Sequence, residues 1–337
     1  MKYQGRSPTR VDLAGGTLDC WPLYVFVGDC VTVNLSISVY TGCELDPCES
    51  PEVEIDIADL QFRRTFENIG AFLSDRAPEH KLVQTVVEYF HERIGSRGFR
   101  LKTFSESPVG GGLGGSSSLC ISLLKAFDGW LNSSERSRDT YETVTLASNL
   151  EAKVIRAPTG TQDYFAAIQP GLNVIHYTSS GAHLETLRIN AKELFENLLL
   201  VYTGRAHHSG INNWQVIKSV IDGSTSTLSA LKEIALVADE VAKVCQSQKW
   251  DLLPELFARE FDARIRLSTS FSSPEIERVR QLAIEQGAKA VKICGAGGGG
   301  CVLVWADRRF HERISQECRR NGFQPINIQP TIGSNDR

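Results

Sequence analysis

Residues 108–118 combine the residue types that bind phosphate groups. The segment reads Pro-Val-Gly-Gly-Gly-Leu-Gly-Gly-Ser-Ser-Ser and holds five of the chain's 28 glycines in six consecutive positions. Glycines let the backbone approach an anion with its N–H groups pointing inward, and the helix predicted after the segment adds unpaired N–H donors. Serine hydroxyls can bond phosphate or Mg²⁺. The segment therefore predicts a cradle for nucleotide phosphates.

Three other interpretations of this glycine-rich segment are less compatible with the sequence. A flexible Gly/Ser linker is the usual meaning of such composition, but here it lies between an apolar strand pattern and an apolar helix pattern. A Walker loop needs a lysine before its Ser/Thr, and none is present. A dinucleotide fingerprint needs an acidic residue about 20 positions on, closing a second strand, whereas 131–138 reads as a polar loop.

A second glycine-rich loop lies at 295–300, between two predicted strands. Two such loops can meet in a cleft, and phosphoryl transfer then requires a cation, a metal and commonly a carboxylate near the acceptor hydroxyl. Glu151 and Asp163 flank a turn at Pro158. The remaining candidates are the cations Arg6, Arg10 and Lys292 and the possible metal ligands Ser116 and Ser117.

Each of these residues also has a simpler interpretation when taken singly. Glu151 could face solvent from a helix, Asp163 could cap a turn, and Arg10 could be a surface charge. The adjacent His207 and His208 point in opposite directions on an extended chain, which makes them a poor metal chelate. We expect one of the two histidines to contact substrate or phosphate.

Hydrophobic periodicity predicts an α+β chain around these residues. Val31, Val33, Leu35, Ile37 and Val39 alternate strictly, as in a half-buried strand, and an apolar start at 25–27 joins this run. The strands form a mainly antiparallel sheet with one face left for helices. Further strands are predicted at 11–14, 53–57, 61–66, 99–104, 173–177, 197–203, 288–293 and 301–305, and helices at 82–94, 141–155, 226–247, 252–267 and 274–286.

Length and composition indicate an ordinary globular chain. Its 337 residues favour two domains, with 42% apolar residues, 23% charged residues and a net charge of −4. No basic stretch suggests nucleic acid, and no apolar run is long enough for a membrane span or signal peptide. Nine cysteines without a Cys-x-x-Cys pair favour free thiols and a cytoplasmic location. Oligomeric state cannot be inferred.

Together, three motifs resemble the GHMP kinase superfamily, which includes galactokinase, homoserine kinase, mevalonate kinase and phosphomevalonate kinase. The family motif Pro-x-x-x-Gly-Leu-Gly-Ser-Ser-Ala is matched at 108–117, with small-residue variants at Gly115 and Ser117. The motif Lys-x-x-Gly-Ala-Gly-Gly-Gly-Gly-Cys is matched at 292–301. The sugar-kinase motif Arg-Val-Asn-Leu-x-Gly-x-x-x-Asp is similar to 10–19, Arg-Val-Asp-Leu-Ala-Gly-Gly-Thr-Leu-Asp.

The resemblance implies an α+β, two-domain fold with ATP and substrate between the domains. Residues 1–190 correspond to an N-terminal ATP-binding domain of the ribosomal-protein-S5 type, and residues 191–337 to a ferredoxin-like C-terminal domain. By position, Asp163 and Arg10 match the catalytic pair, and Glu151 and Ser116 match the Mg²⁺ ligands, with a one-residue ambiguity toward Ser117. The implied nucleotide-binding residues are Pro108, Gly110, Gly111, Gly112, Leu113, Gly114, Gly115, Ser116, Ser117, Gly295, Ala296, Gly297 and Gly298.

For the acceptor, the resemblance is greatest to the heptose-7-phosphate kinase and fucokinase branch. Asp19 matches a sugar-binding aspartate, but Gly16 and Thr17 replace the Glu-His of the galactokinase signature. The implied substrate is a sugar or sugar phosphate, with the anomeric hydroxyl as the expected position of phosphorylation. Mevalonate, its phosphate or homoserine as acceptor, and a nucleotide-binding regulator without catalysis, are the alternatives. The implied substrate residues are Gly16, Thr17, Asp19, Tyr202 and His207.

Overall fold

The computed structural model describes residues 1–131, 138–206, 209–295 and 297–331. Its strands are β1 Tyr3–Ala14, β2 Cys30–Cys48, β3 Val53–Ile57, β4 Phe62–Phe66, β5 Gly98–Ser105, β6 Leu172–Thr178, β7 Gly181–Leu187, β8 Leu198–Tyr202, β9 Ala290–Ile293, β10 Cys301–Trp305 and β11 Gln324–Ile326. Its helices are α1 Leu23–Val27, α2 Ile69–Ser74, α3 Lys81–Ile94, α4 Gly115–Leu131, α5 Thr140–Ile155, α6 Gln162–Ile168, α7 Lys192–Glu196, α8 Ser209–Ile221, α9 Thr225–Ser247, α10 Leu253–Leu267, α11 Pro274–Glu285 and α12 Arg308–Arg320.

The larger sheet is built around the long strand β2. Its order is β4-β3-β5-β2-β6-β7, and β1 pairs with the other edge of β2. All pairings in it are antiparallel except that of β3 with β5, so the predicted mainly antiparallel sheet is confirmed. The β1–β2 register shifts between Pro8 and Thr9, just before Arg10. Irregularities of this kind reorient the residues that follow them.

Both faces of this sheet are covered in the region of β1 and β2, which corrects the expected half-buried strand. Val33 and Val39 pack on one face in a core that includes α9. On the other face, the buried side chains of Asn34 and Ser36 donate hydrogen bonds to the carbonyls of Gln162 and Ala166 in α6. The polar half of the alternating pattern therefore faces a helix instead of solvent, because backbone acceptors of α6 satisfy it.

The smaller sheet has the order β11-β8-β10-β9 and is entirely antiparallel. The larger sheet uses strands that end by Leu187, whereas the smaller one begins at Leu198. Strand β9 packs against α10 and α11, and β10 follows the second glycine loop. The division of the chain into domains at 190 and 191 stays a prediction.

One segment differs from the element that periodicity predicts. The apolar start at 25–27 is the short helix α1 instead of the beginning of a strand, and β2 starts only at Cys30. Short apolar runs do not distinguish a strand from a buried helical turn, so tertiary packing decides between them. The six predicted helices, including the one after the first glycine-rich segment, and the other strands are present, with ends shifted and β1 extended back to Tyr3.

All nine cysteines are free thiols, and eight of them are buried. In the described parts of the chain, no helix has the length and apolar character needed to cross a membrane.

Candidate active site

The first glycine loop forms a tight turn that leads into α4. The amide of Gly111 donates to the carbonyl of Pro108 at 2.9 Å, and α4 begins at Gly115. Gly112 and Gly114 have φ of 73° and 71°, a backbone region that side chains disfavour. The amide of Gly111 is thus engaged within the turn.

The two glycine loops meet, as the sequence predicted. The amide of Cys301 donates to the carbonyl of Gly111 at 2.8 Å. A Cβ atom on Gly295 would lie 2.9 Å from the Cα of Gly112, and one on Gly300 would lie 2.9 Å from the carbonyl oxygen of Gly111. Such distances are too short for a side chain. The absence of side chains thus lets segments about 180 residues apart pack backbone to backbone.

Arg10 connects the first glycine loop to Asp163. Its side chain is only 5% exposed, and its Nε donates to Oδ1 of Asp163 at 2.7 Å. Its Nη1 donates to the carbonyl of Gly112 at 2.6 Å, and its own amide donates to the carbonyl of Leu113. Burial by itself lowers the pKa of the guanidinium, but the Asp163 and Asp12 carboxylates raise it to a net value above normal. Arg10 is therefore a fixed, permanent cation at the loop.

Asp163 lies in the first turn of α6, where a carboxylate is favoured by the helix dipole. Its side chain is 21% exposed and is held by Arg10. A Cβ on Gly114 would lie 2.9 Å from the carboxyl carbon of Asp163. The carboxylate therefore sits directly against the glycine loop, where the transferred phosphoryl group would arrive.

We expect Gly114→Ala to lower turnover by about 10- to 100-fold, because its methyl group would displace the Asp163 carboxylate. The matched control is Gly95→Ala at the end of α3. Gly95 has a similar φ of 65°, but a Cβ there meets no atom within 4 Å. Both variants carry a backbone cost of about 1–3 kcal/mol, because both glycines have a positive φ. Steady-state kinetics and urea unfolding would separate the effects, and equal activity of the two variants would contradict the placement of Asp163.

Asp19 is a second carboxyl group beside Asp163, and it is 4% exposed. Its Oδ2 accepts from the amide of Gln162 at 3.1 Å, and Gly160 packs so closely that a Cβ there would lie 2.0 Å from that oxygen. Burial and the charge of Asp163 raise the pKa of Asp19 to about 6, although the Gln162 amide lowers it. Two carboxyl groups with different environments therefore face the same region, as in sites that divide acceptor binding from proton transfer.

Glu151 is buried at the side of α4 and accepts side-chain hydrogen bonds. Ser117 Oγ donates to its Oε2 at 2.7 Å, and the Tyr164 hydroxyl donates to the same oxygen. Burial raises the pKa of this carboxyl, partly offset by hydrogen bonds from Tyr164, Ser116 and Ser117. The serine ambiguity persists, because Ser117 is buried against Glu151 whereas Ser116 is exposed at the start of α4.

A buried charge network lies beneath the site, and motif comparison did not reveal it. Asp12, Glu260, Arg264 and Lys292 are all fully buried. Nη2 of Arg264 contacts Asp12 at 2.7 Å, and Nζ of Lys292 contacts Glu260 at 2.8 Å. Burial raises the pKa of Asp12, but Lys292 and Arg264 lower it to a net value below normal. The i,i+4 spacing of Glu260 and Arg264 was the available sequence signal.

Two of the three candidate cations predicted from the sequence lie away from the candidate site. Lys292 is 0% exposed and bonds the carbonyl of Asp12, so it cannot reach a phosphate in the cleft. Arg6 instead lies over the ring of Tyr40 at 3.9 Å. Of the three, Arg10 is the cation at the candidate site.

The remaining predicted site residues differ in their burial and contacts. Gly16 is buried between Asp12 and Arg264, so its position is structural and offers no surface to a substrate. Thr17 is also buried, with φ of 80°. The Tyr202 hydroxyl donates to the carbonyl of Val109, on the glycine-loop side of the site. His207, His208 and Ala296 lie outside the described residues.

The second glycine loop is closed largely by the protein itself. The amide of Gly298 donates to the carbonyl of Phe271 at 2.9 Å, and a Cβ on Gly297 would lie 2.3 Å from that oxygen. The amide of Gly300 donates to the carbonyl of Arg205 at 2.7 Å. These contacts indicate that Gly297 and Gly298 shape the loop against Phe271.

Comparison with known protein families matches both halves of the chain. The model for the GHMP kinases N terminal domain covers residues 81–171, and the model for GHMP kinases C terminal covers residues 230–323. Together they span more than half of the sequence. The chain belongs to the GHMP kinase family. The first match contains the glycine loop, Glu151 and Asp163, and the second contains the late glycine loop.

Individual relatives of this GHMP kinase are distant in sequence but match most of this chain. The D-glycero-alpha-D-manno-heptose 7-phosphate kinase of Campylobacter jejuni is 28% identical over 90% of this chain and 88% of its own. The L-fucokinase/L-fucose-1-P guanylyltransferase of Bacteroides fragilis is 23% identical over 95% of this chain, which spans 36% of that longer protein. The crystal structure of a D-glycero-D-manno-heptose 1-phosphate kinase from Bacteroides thetaiotaomicron superposes with a TM-score of 0.79 at 20% identity, covering 99% of this chain and 97% of its own. This last likeness shows the same fold.

Proposed function

We propose that this GHMP kinase transfers the γ-phosphoryl group of ATP to a hydroxyl group of a sugar. The observation that carries the proposal is the Arg10–Asp163 pair, held against the first glycine loop and beside the carboxyl group of Asp19. This places a permanent cation, a partly exposed carboxylate and a phosphate-binding turn within one small region. The sugar-kinase names of the relatives support the same class of acceptor.

In this proposal, Asp163 receives or orients the proton of the acceptor hydroxyl. Its carboxylate is 21% exposed, whereas Arg10 is 5% exposed, so the carboxylate is the accessible member of the pair. Arg10 keeps the carboxylate in place and stabilises negative charge that develops on the hydroxyl oxygen and the transferred group. The Nη1 contact to Gly112 ties this cation to the loop that carries the phosphates.

The oxygen ligands near α4 fit a magnesium ion. Mg²⁺ is usually held by one or two protein oxygens together with substrate phosphates, and Glu151 with Ser116 or Ser117 supplies that set. Bound there, Mg²⁺ would neutralise charge on the nucleotide phosphates. Within the described residues, no group of three or more His, Cys, Asp and Glu side chains could hold a metal ion, so the proposed Mg²⁺ site also needs the nucleotide phosphates as ligands.

The proposal also keeps the broader expectations from the sequence. Residues 1–190 and 191–337 are proposed as the two domains, and the cytoplasm as the location. The first glycine loop is proposed to bind the phosphates through backbone amides other than that of Gly111. Gly295, which packs against Gly112, is proposed to contribute from the second loop.

A panel of acceptors assayed for ADP release tests this function. We expect Mg²⁺-dependent ADP release with at least one sugar, abolished by EDTA and restored by added Mg²⁺, because the proposed nucleotide site needs the metal. Phosphorus NMR of the product would show which hydroxyl is esterified. Turnover of mevalonate, phosphomevalonate or homoserine without turnover of any sugar would contradict the sugar acceptor. Tight ATP binding without transfer to any acceptor would instead support a regulator.

Asp19 makes the activity pH dependent if its carboxylate accepts hydrogen bonds from acceptor hydroxyls. Its pKa of about 6 means that the group becomes protonated, and loses acceptor capacity, as the pH falls below this value. We therefore expect kcat/KM for the sugar to rise with pH up to about 6 and then to level off. Asp19→Asn should remove this inflection. A native profile that is flat between pH 5 and 7 would contradict the role.

A further inference from the structure

A cavity of about 560 Å³ adjoins Asp19 on the side of α5. Asp19 and Thr161 line it, and Thr161 precedes Asp163 by two residues in the turn that leads into α6. The Asp163 carboxylate raises the pKa of Asp19, which places the two groups within electrostatic range. The cavity thus borders the carboxyl group of Asp19, which interacts electrostatically with Asp163 of the proposed transfer site.

The cavity wall combines aromatic rings with uncharged polar groups. The rings come from Trp21, Tyr24, Tyr141, Phe165 and Tyr177. A concave site with apolar walls and a few polar groups is the usual form of a small-molecule site, and aromatic faces suit the C–H faces of a sugar ring. The uncharged polar side chains in the wall are Thr145, Ser148, Asn149, Thr159, Thr161 and Ser180.

The described residues of the cavity wall carry negative charge but no positive charge. Among the described residues that line the cavity, Asp19 is the charged side chain, and none is Lys, Arg or His. A phosphate monoester carries about −1.5 to −2 charges at neutral pH and is normally bound by Arg or Lys. Neutral pH is above the pKa of Asp19, which is about 6, so its carboxyl group is mostly ionised and repels a phosphate group.

We propose that this cavity is the distal part of the acceptor site and that it selects an uncharged, hydroxyl-rich sugar over a sugar phosphate or a sugar acid. The proposal rests on the function proposed above and narrows its substrate class. It separates this chain from the heptose 7-phosphate kinase among its relatives, whose name specifies a phosphorylated acceptor. Thr, Ser and Asn side chains on the wall would pair with hydroxyl groups, and a carboxylate can accept from two of them.

Matched sets of acceptors test the proposal. Each set contains a free aldose, its terminal phosphate ester and its uronic acid, for example galactose, galactose 6-phosphate and galacturonate. Both ADP release and direct binding by isothermal titration calorimetry would be measured. We expect the best free sugar to exceed its own phosphate ester and uronic acid at least tenfold in kcat/KM and in affinity.

A pair of threonine variants on one helix locates the selectivity. Thr145 on α5 is exposed and lines the cavity, whereas Thr143 on the same helix does not line it. Thr145→Lys should raise kcat/KM for the phosphate ester at least tenfold and lower the ratio of free sugar to ester. Thr143→Lys adds the same charge to the same helix and should leave that ratio at its native value.

The outcomes separate this inference from the proposed function. A native preference for the phosphate ester or uronic acid over the free sugar would overturn the inference while leaving the kinase function intact. An equal effect of Thr143→Lys and Thr145→Lys on the ratio would also overturn it. The native chain could bind a free sugar more tightly than its phosphate ester and yet release no ADP with any acceptor. That result would contradict the kinase function and support the proposed selectivity of the cavity.

Discussion

Asp163→Asn is expected to lower kcat by about 10²- to 10⁴-fold, the range attributed to a positioned proton acceptor. The amide has the same shape and can still accept a hydrogen bond from Arg10, but it cannot take up the hydroxyl proton. KM for ATP should change little, because the nucleotide contacts proposed for the glycine loop do not involve this side chain. Steady-state kinetics would measure both constants, with circular dichroism to verify the fold.

Asp75→Asn is the matched control for this variant. Asp75 is also a partly buried carboxylate, 14% exposed, and it pairs with Arg64 at 2.6 Å, as Asp163 pairs with Arg10 at 2.6 Å. It is bonded to His80 and the Ala77 amide, away from the glycine loops. Asp75→Asn should therefore leave kcat close to the native value. Native-like turnover by Asp163→Asn would eliminate Asp163 as the proton acceptor.

Arg264→Gln is expected to reduce the free energy of unfolding by about 3–5 kcal/mol, the typical cost of removing one partner from a buried ion pair. Arg264 is 1% exposed, contacts Asp12 and Glu260, and donates to the carbonyl of Gly295 at 2.8 Å. The native network has two positive and two negative side chains, with Lys292 as the second cation. Removing Arg264 leaves one buried carboxylate uncompensated. Equilibrium unfolding in urea would measure the loss.

Arg259→Gln provides a control from the same helix. Arg259 also pairs with two carboxylates, Glu233 and Glu240, but it is 37% exposed, so its removal should cost about 1 kcal/mol or less. A second test uses Asp12→Asn combined with Arg264→Gln. This double variant removes one charge of each sign, and we expect it to be less destabilised than the sum of the single variants. Strict additivity would show that the two charges do not interact.

The buried network links strand β1 to the late glycine loop. Asp12 lies two residues after Arg10 on β1, and Arg264 contacts both Asp12 and the backbone of Gly295. The strand that carries Arg10 and the second loop are thus joined through one set of charges. We therefore propose that this network aligns the two loops. A hydrophobic contact of equal area would specify the relative position of the loops less strictly.

Much of the candidate site could be predicted from local sequence. Glycine clusters encode backbone conformations and close approaches that no other residue allows, so both loops could be identified before any fold was known. Alternation and helical spacing likewise identify β2, α5 and α9, because the two periods follow from backbone geometry. Where the run was short, as at 25–27, the same signal did not distinguish helix from strand.

The family, the two glycine loops and the candidate pair of Arg10 and Asp163 could be identified from sequence patterns alone. Tertiary packing was needed to show that Lys292 is buried, that Gly16 lies between Asp12 and Arg264, and that the described residues lining the cavity beside Asp19 include no Lys, Arg or His. The physical reason is sequence separation. Asp12 and Arg264 are 252 positions apart, and no local spacing records which distant charges or rings will share one environment after folding.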